Sequence, residues 1–333
     1  MTQIREWSKV DANTFENQIK PLNQPAVLRG LVIDWPLVEH ARQGNQELTQ
    51  YLCGFDNKTP VYTVVGQPDI EGRFFYNDAL DGVNHQQVQA NFSATLQQIC
   101  ELPQAGAKHA VAIQAASVSD TLPGLEQENN LSLLGEQVAP TMWLGNQALV
   151  APHFDVRDNI ACVVAGQRKF TLFPPEQIAN LYPGPMLSAP GGVPISMVDI
   201  RKPDLEKFPQ FEVAMQASQV ATLDPGDAIY IPMPWWHAVE SLADLNVLIN
   251  YWWGGLQGAG ALSPNNALLL SLMTISQLEP QQRAAWQHFF DYLVFRNSSD
   301  PTAHLPPELN DVITNLSPQQ QSYVRQLLME RLT

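Results

Sequence analysis

A histidine and an aspartate two residues apart, His153 and Asp155, could together bind a metal ion. Side chains two apart on an extended strand point to the same face, so both can reach one ion while Phe154 faces the opposite way. Imidazole and carboxylate ligands suit a borderline cation such as Fe(II), and two histidines with one carboxylate leave three coordination positions open. The pair is incomplete, and a second histidine must come from elsewhere.

The second histidine is predicted to be His237. It follows an Asp-Pro-Gly-Asp turn at 224–227, a short apolar strand at 228–231, and a rigid run of two prolines and two tryptophans. A barrel of strands would bring it beside His153. Each histidine could instead be structural, and for His-x-Asp alone that interpretation is better because short motifs often match by chance. The proline-framed His237 and the basic strand between the two histidines favour the metal site.

Further motifs of a known family occur in one order over residues 143–255. They include Pro152-His153-Phe154-Asp155, Asn159, Gly166-Gln167-Arg168-Lys169-Phe170, Leu181-Tyr182-Pro183, Pro225-Gly226-Asp227, Trp235-Trp236-His237 and Asn250-Tyr251-Trp252. On these motifs the chain resembles the JmjC and cupin-like oxygenases that depend on Fe(II) and 2-oxoglutarate. The factor-inhibiting-HIF asparaginyl hydroxylase branch is the part of the family that it resembles most.

The resemblance implies Fe(II) on His153, Asp155 and His237, 2-oxoglutarate as cosubstrate and O2 as oxidant. The implied reaction hydroxylates a C–H bond, on a protein or peptide side chain, and releases succinate and CO2. A homodimer through the C-terminal helices is implied as well. The alternatives are a small-molecule or tRNA-base hydroxylase of the same class, or a cupin-type metal-binding protein without catalytic activity.

The cosubstrate needs a cation for the carboxylate that does not chelate the metal. Arg168 and Lys169 are adjacent on one predicted strand, so only one of them can point inward. The family usually has a lysine where this chain has Arg168. Register counted from His153 favours Arg168, whose planar guanidinium can bind a carboxylate bidentately, and Lys169 stays as the alternative.

By the same resemblance, Asn159, Asn250, Trp252 and Tyr76 belong to the cosubstrate site. Buried amides are unfavourable unless they are bonded, so a polar cavity explains the two asparagines. Val150 stands where the related hydroxylase has a threonine that hydrogen-bonds the cosubstrate. Because valine cannot donate, another hydroxyl, such as that of Tyr76, would have to serve. Tyr76 could equally be a half-buried strand tyrosine.

The sequence pattern has short strands that recur with turn residues between them, helices before these strands and helices after them. This pattern predicts the architecture of the chain. It is mainly β with flanking α: residues 1–135 form an α/β portion that contributes to the core, 136–258 a double-stranded β-helix of the cupin or jelly-roll type, and 259–333 a helical region that dimerises. A helical turn is expected at 129–134. The long loop at 178–211 is predicted to be an ordered lid or a substrate groove.

The composition and the net charge disfavour several classes of protein. A net charge of −15 over 333 residues disfavours a nucleic-acid partner, which usually needs a concentrated basic surface. Three cysteines without CxxC spacing indicate reduced thiols, not a disulfide framework or a zinc site. The sequence shows neither a signal-peptide pattern nor an apolar run of membrane-spanning length, so a cytoplasmic protein with no membrane partner is expected.

Overall fold

The computed structural model describes residues 1–103, 106, 108–135, 137–254, 263–297, 299–309, 311–314 and 316–332. The chain divides into two units, Met1–Ala259 and Gly260–Thr333. Among the described residues, none of the helices is both long and apolar enough to cross a membrane.

The first unit is built on strands. In chain order they are β1 (Thr2–Gln3), β2 (Arg5–Ser8), β3 (Ala26–Arg29), β4 (Val61–Gly66), β5 (Arg73–Phe74), β6 (Gln86–Ala90), β7 (Ala110–Ser117), β8 (Pro140–Gly145), β9 (Ala148–Phe154), β10 (Asp158–Ala165), β11 (Arg168–Phe173), β12 (Gln219–Leu223), β13 (Ala228–Ile231), β14 (Trp236–Ser241) and β15 (Asn246–Trp253). They form one sheet in the order β1-β12-β11-β14-β9-β5 and another in the order β2-β3-β13-β10-β15-β8-β7-β4-β6.

Helices flank the strands in this unit. They are α1 (Ala12–Thr14), α2 (Pro36–Gln43), α3 (Asn45–Phe55), α4 (Phe92–Glu101), α5 (Val118–Thr121), α6 (Leu125–Glu128) and α7 (Phe211–Ala217). Shorter 3₁₀ segments cover Lys20–Leu22, Pro68–Ile70, Pro175–Leu181 and Pro190–Gly192, and Phe15–Ile19 is π-helical.

Strand β10 shows how alternating side chains build the layers. Ala161 and Val163 pack with Phe170 of β11, between the two sheets. Ile160 and Cys162 point the other way and join the cluster formed with helices α2, α3 and α4. Because successive residues face opposite sides, one strand serves two layers, and an uninterrupted apolar run is the expected sequence for it.

The two facing sheets and their flanking helices confirm the predicted mainly-β double-stranded β-helix. The helical turn expected at 129–134 is only a single hydrogen-bonded turn, in which the Leu134 amide donates to the Leu131 carbonyl at 3.5 Å, and no helix forms there. Helix α6 ends at Glu128, and the side chain of Asn129 donates to the Leu125 carbonyl and accepts from the Leu37 amide. A side chain that bonds back to the helix in this way competes with continuation of the helix.

The second unit is helical as predicted, with α8 (Pro264–Met273), α9 (Pro280–Phe289) and α10 (Pro318–Leu332). Ile275–Gln277 is a 3₁₀ turn, and Phe290–Val294 continues α9 as a π-helical segment. The Ser263 side chain accepts from the Asn265 amide and caps α8, with proline at the first helical position. None of the described residues in these three helices is buried. A dimerising role for this unit stays a prediction.

Candidate metal centre and its cavity

The two histidines are brought together by strand pairing. Strands β9 and β14 are antiparallel neighbours in which His153 pairs directly with His237, and their ring centroids lie 4.2 Å apart. Asp155 follows β9 on the same face as His153. Its Oδ2 lies 3.7 Å from His237 Nε2, and the three potential ligand atoms lie within 4.8 Å of one another. Two strands thus assemble a His-Asp-His group from residues 84 positions apart in sequence.

Each histidine is held through its Nδ1. His153 Nδ1 lies 2.9 Å from the Ala151 carbonyl, and His237 Nδ1 lies 3.1 Å from the Trp235 carbonyl. A carbonyl oxygen can only accept, so Nδ1 carries the proton and Nε2 keeps its lone pair. Burial, and then the neighbouring His153, lowers the pKa of His237, which keeps the ring neutral. Neutral imidazoles with free Nε2 atoms are what a divalent metal requires.

The carboxylate is oriented by a chain of side-chain hydrogen bonds. Asp155 Oδ2 accepts from Trp252 Nε1 at 2.9 Å and from Asn159 Nδ2 at 3.4 Å. Asn250 Nδ2 donates to Asn159 Oδ1 at 3.2 Å, and Trp143 Nε1 donates to Asn250 Oδ1 at 2.8 Å. In this series of hydrogen bonds, each side chain donates to the next one in the direction of Asp155. The two asparagines and Trp252 line the cavity, and their hydrogen bonds orient Asp155. The cosubstrate-binding role expected of these three residues stays a prediction.

The adjacent cations Arg168 and Lys169 point to opposite sides of β11. Arg168 is 7% exposed and lines the same cavity as the metal group. Its Nη2 reaches the Trp143 carbonyl only at 3.5 Å, and its Nε has no hydrogen-bond partner among the described residues. Burial lowers its pKa to about 10, so it stays a cation at neutral pH. The sequence-based alternative Lys169 lies outside the cavity, in a 2.8 Å ion pair with Glu240.

A model of the cupin-like domain matches residues 12–257, which is most of the chain. The chain belongs to the cupin-like domain family. Its relatives include "Lysine-specific demethylase JMJ31" of Arabidopsis thaliana, 37% identical over 112 residues, which are 33% of this chain and 20% of that protein. "HSPB1-associated protein 1" of Homo sapiens is 37% identical over 114 residues, 34% of this chain and 23% of that protein.

"JmjC domain-containing protein D" of Dictyostelium discoideum is 34% identical over 121 residues, 36% of this chain and 26% of that protein. The chain therefore spans about a fifth to a quarter of the length of these curated relatives. The matches support a cupin-like JmjC domain. The closer resemblance to the factor-inhibiting-HIF branch stays a prediction.

Tyr76 does not reach the cavity of this cupin-like domain. It is 3% exposed, its hydroxyl donates to the Pro185 carbonyl at 2.8 Å, and the Ile195 amide donates to that hydroxyl at 3.4 Å. The structure therefore does not support the cosubstrate role expected for it, because the hydroxyl is committed to the loop that packs over it. Val150 does line the cavity, so no hydroxyl replaces the family threonine at that position.

The cavity, about 510 Å³ in volume, has a size typical of a small-molecule site. Its walls between the sheets are apolar, with Phe170 and Leu248 among them. Pro190, Val193 and Ile195 from the long loop also line the cavity, and the lid or substrate groove expected for this loop stays a prediction.

Several lining residues were not singled out from the sequence. They are Tyr62, His85, Gln87 and Gln114 from the N-terminal portion, and Trp143. No motif marks the first four, since isolated polar residues on short strands are common. Trp143 is only partly buried, and its indole N–H is the start of the hydrogen-bond chain described above.

Proposed function

We propose that this protein is an Fe(II)- and 2-oxoglutarate-dependent dioxygenase that hydroxylates a C–H bond on a protein or peptide side chain. The observation that carries the proposal is Arg168. A buried cation without an acidic partner is unfavourable, and it is retained where an anionic ligand supplies the missing charge. This one lies in the same cavity as a His-Asp-His metal group, which matches a ligand that is a chelator at one end and a carboxylate at the other.

The residues of the site fit iron and the 2-oxo acid. His153 and His237 would bind the metal through Nε2, and Asp155 through its carboxylate, with three positions left for the cosubstrate and oxygen. Arg168 would pair with the far carboxylate of 2-oxoglutarate, which also supplies its missing hydrogen bonds. Iron and 2-oxoglutarate, when bound, supply the oxidising chemistry that converts O2 and a C–H bond into a hydroxylated product, succinate and CO2.

The protein itself orients the metal ligands and provides a cavity with apolar walls. The chain of donors from Trp143 to Asp155 fixes the carboxylate before any metal arrives, so little reorganisation is needed on binding. Apolar side chains such as Phe170 and Leu248 line the cavity that Arg168 and the metal ligands share, so a cosubstrate bound against them would displace water. Exclusion of water strengthens the Arg168–carboxylate attraction and protects reactive species from side reactions.

The proposal is tested by supplying Fe(II), 2-oxoglutarate and air to the purified full-length protein and following succinate by NMR. Slow succinate formation without any added substrate is expected, and it should disappear in His153→Ala. A protein that binds iron but forms no succinate above the iron-free control contradicts the proposal.

That result would favour the second candidate function, a cupin-type metal-binding protein without catalytic activity. The observation in favour of this alternative is Val150, which presents no donor to the cavity where the related hydroxylase has a threonine.

We further propose that the C-terminal unit forms a homodimer. Its helices bury none of their described residues, and large apolar side chains such as Leu269, Trp286 and Phe289 are 38%, 45% and 58% exposed. Surfaces of this kind usually mark an interface. Light scattering should give the mass of two chains, and Leu269→Asp with Phe289→Asp should give one. Leu187→Asp, which changes an exposed leucine of the first unit, is the control, and a monomeric wild type overturns the proposal.

A further inference from the structure

Trp143 contacts both ends of the site from the opposite sheet. The two metal-binding histidines and Arg168 lie on β9, β14 and β11 of the six-stranded sheet, whereas Trp143 lies on β8 of the nine-stranded sheet. Its side chain is partly buried and lines the cavity between the two sheets. Because an indole provides neither a metal ligand nor a positive charge for a carboxylate, contacts with both ends indicate a positioning role.

Toward the metal, Trp143 supports both donors that act on Asp155. Its Nε1 donates to Asn250, and the bonds from Asn250 to Asn159 and onward continue that route to the carboxylate. Its ring also lies against that of Trp252, the second donor, with centroids 5.8 Å apart and planes at 87°. The two routes meet at Asp155 Oδ2. A displaced indole would therefore loosen both donors at once.

The indole also sets the direction of the asparagine route. A side-chain amide can turn by half a rotation, which exchanges its oxygen and its nitrogen. An indole N–H can only donate, so it holds the oxygen of Asn250 toward Trp143 and the nitrogen toward Asn159. Without the indole donor, Asn250 Oδ1 would be a buried acceptor without a partner, since Asn250 is 2% exposed. If both amides turned, an oxygen would face Asp155, and the metal ligand would lose a donor.

Toward the proposed cosubstrate anchor, the backbone of Trp143 makes the contact. Arg168 Nη2 donates to the Trp143 carbonyl at 3.5 Å, and among the described residues this carbonyl is the only hydrogen-bond partner of Arg168. The bond is longer than the usual N–H···O range, so the protein alone holds the guanidinium loosely. A carboxylate paired with Arg168 would fix the guanidinium and, through the carbonyl, would restrain the part of β8 that carries the indole.

We propose that Trp143 is a positioning residue that couples the two ends of the site, so that a carboxylate on Arg168 raises the affinity of the His-Asp-His group for a divalent metal. Ordering of Trp143 by one ligand reduces the ordering that the other ligand must still impose. Because such coupling is reciprocal, the metal raises the affinity of Arg168 for the carboxylate by the same factor. The inference rests on the ligands of the dioxygenase proposed above, but it concerns binding alone.

The test titrates the metal-free full-length protein with Co(II), followed by visible absorption, in potassium propionate or in potassium chloride of equal ionic strength. Propionate has a single carboxylate, so it can occupy Arg168 without chelating the metal. It should raise Co(II) affinity about fivefold in the wild type, within the usual range for coupled sites. In Trp143→Phe, which keeps the carbonyl, an aromatic ring and every charge, the effect should fall below about twofold. Asn250→Ala, which interrupts the asparagine route alone, should reduce the effect in the same direction.

Two controls separate this coupling from other causes. Trp35→Phe removes an indole hydrogen bond of similar length, 3.0 Å to the Asn130 carbonyl, from a core residue, and should leave the effect of propionate intact. Arg168→Met should abolish the effect, because propionate then has no cation to occupy. An absent effect in the wild type overturns the inference, as does an effect that persists in Trp143→Phe or in Arg168→Met. Coupling in a protein that forms no succinate would contradict the dioxygenase proposal and leave this inference standing.

Discussion

The metal side of the cavity differs from the part lined by Tyr62, His85, Gln87 and Gln114, which we name the polar end, in how many of its polar side chains already have hydrogen-bond partners. At the metal side, His153, His237 and Asp155 each accept or donate a hydrogen bond that fixes their orientation. At the polar end, the amides of Gln87 and Gln114 have no partner among the described residues. A preorganised group suits a ligand of constant geometry such as a metal, whereas free donors and acceptors suit a substrate that arrives from outside.

The largest effect should come from removing a metal ligand. His237→Ala is expected to lower Fe(II) affinity at least about 100-fold, because two remaining ligands cannot hold the ion in competition with water. Equilibrium dialysis followed by metal analysis measures the change. His85→Ala is the matched control, since it removes a histidine from the same cavity but outside the metal group. Equal metal loss in both variants would contradict the assignment.

The next largest effect distinguishes the contributions of Arg168 and Lys169 to 2-oxoglutarate binding. Arg168→Met should weaken 2-oxoglutarate binding to the Fe(II)-loaded protein by about 100-fold, as expected when one partner of a buried, bidentate charge pair is lost. Lys169→Met changes the adjacent residue and should alter affinity less than about threefold, because an exposed ion pair contributes little. Anaerobic calorimetry gives both constants. Comparable losses in the two variants would mean that Arg168 does not anchor the cosubstrate.

A smaller effect tests the hydrogen bonds behind the ligands. Trp252→Phe keeps an aromatic ring but removes the donor to Asp155, and should reduce Fe(II) affinity by about tenfold. Trp253→Phe is the control, because that ring packs against Tyr230 and Phe15 on the helical side of the sheet. Metal affinity unchanged in Trp252→Phe would show that Asp155 needs no orienting donor.

The smallest effect concerns the left-handed backbone of Ala115, which follows Gln114 at the polar end. Ala115→Gly should raise the free energy of unfolding by about 0.5–1 kcal/mol, since glycine adopts positive φ without a steric penalty. Urea denaturation measures this change. A destabilised variant would indicate that the left-handed backbone at this position carries no strain.

The sequence predicted the metal side far better than the polar end. His153, Asp155 and His237 stand in local motifs whose two-residue spacing and turn context have a direct physical meaning. Alternation along β11 lets only one of Arg168 and Lys169 face inward, and the register counted from His153 favours Arg168. The strands that carry these residues are short and flanked by turn residues. This recurring pattern also indicated the double-stranded β-helix. Local pattern and fold agree there because alternation along each strand places the ligand side chains on one face.

The other residues that line the cavity could not be predicted from local sequence motifs. Tyr62 and Gln114 reach the cavity through the pairing of β4 with β7, and such a pairing between distant strands leaves no signal in a single sequence. Tyr76 was misassigned because its hydroxyl is covered by residues more than a hundred positions away, at Pro185 and Ile195. Contacts between distant segments decide such cases.

The most direct test of the account is an anaerobic titration of the metal-free protein with Fe(II) and then 2-oxoglutarate, followed by visible absorption. Chelation of iron by a 2-oxo acid produces a metal-to-ligand charge-transfer band. We predict that the band develops with one equivalent of 2-oxoglutarate in the wild type and is absent in His153→Ala. Iron binding without any band in the wild type would contradict it.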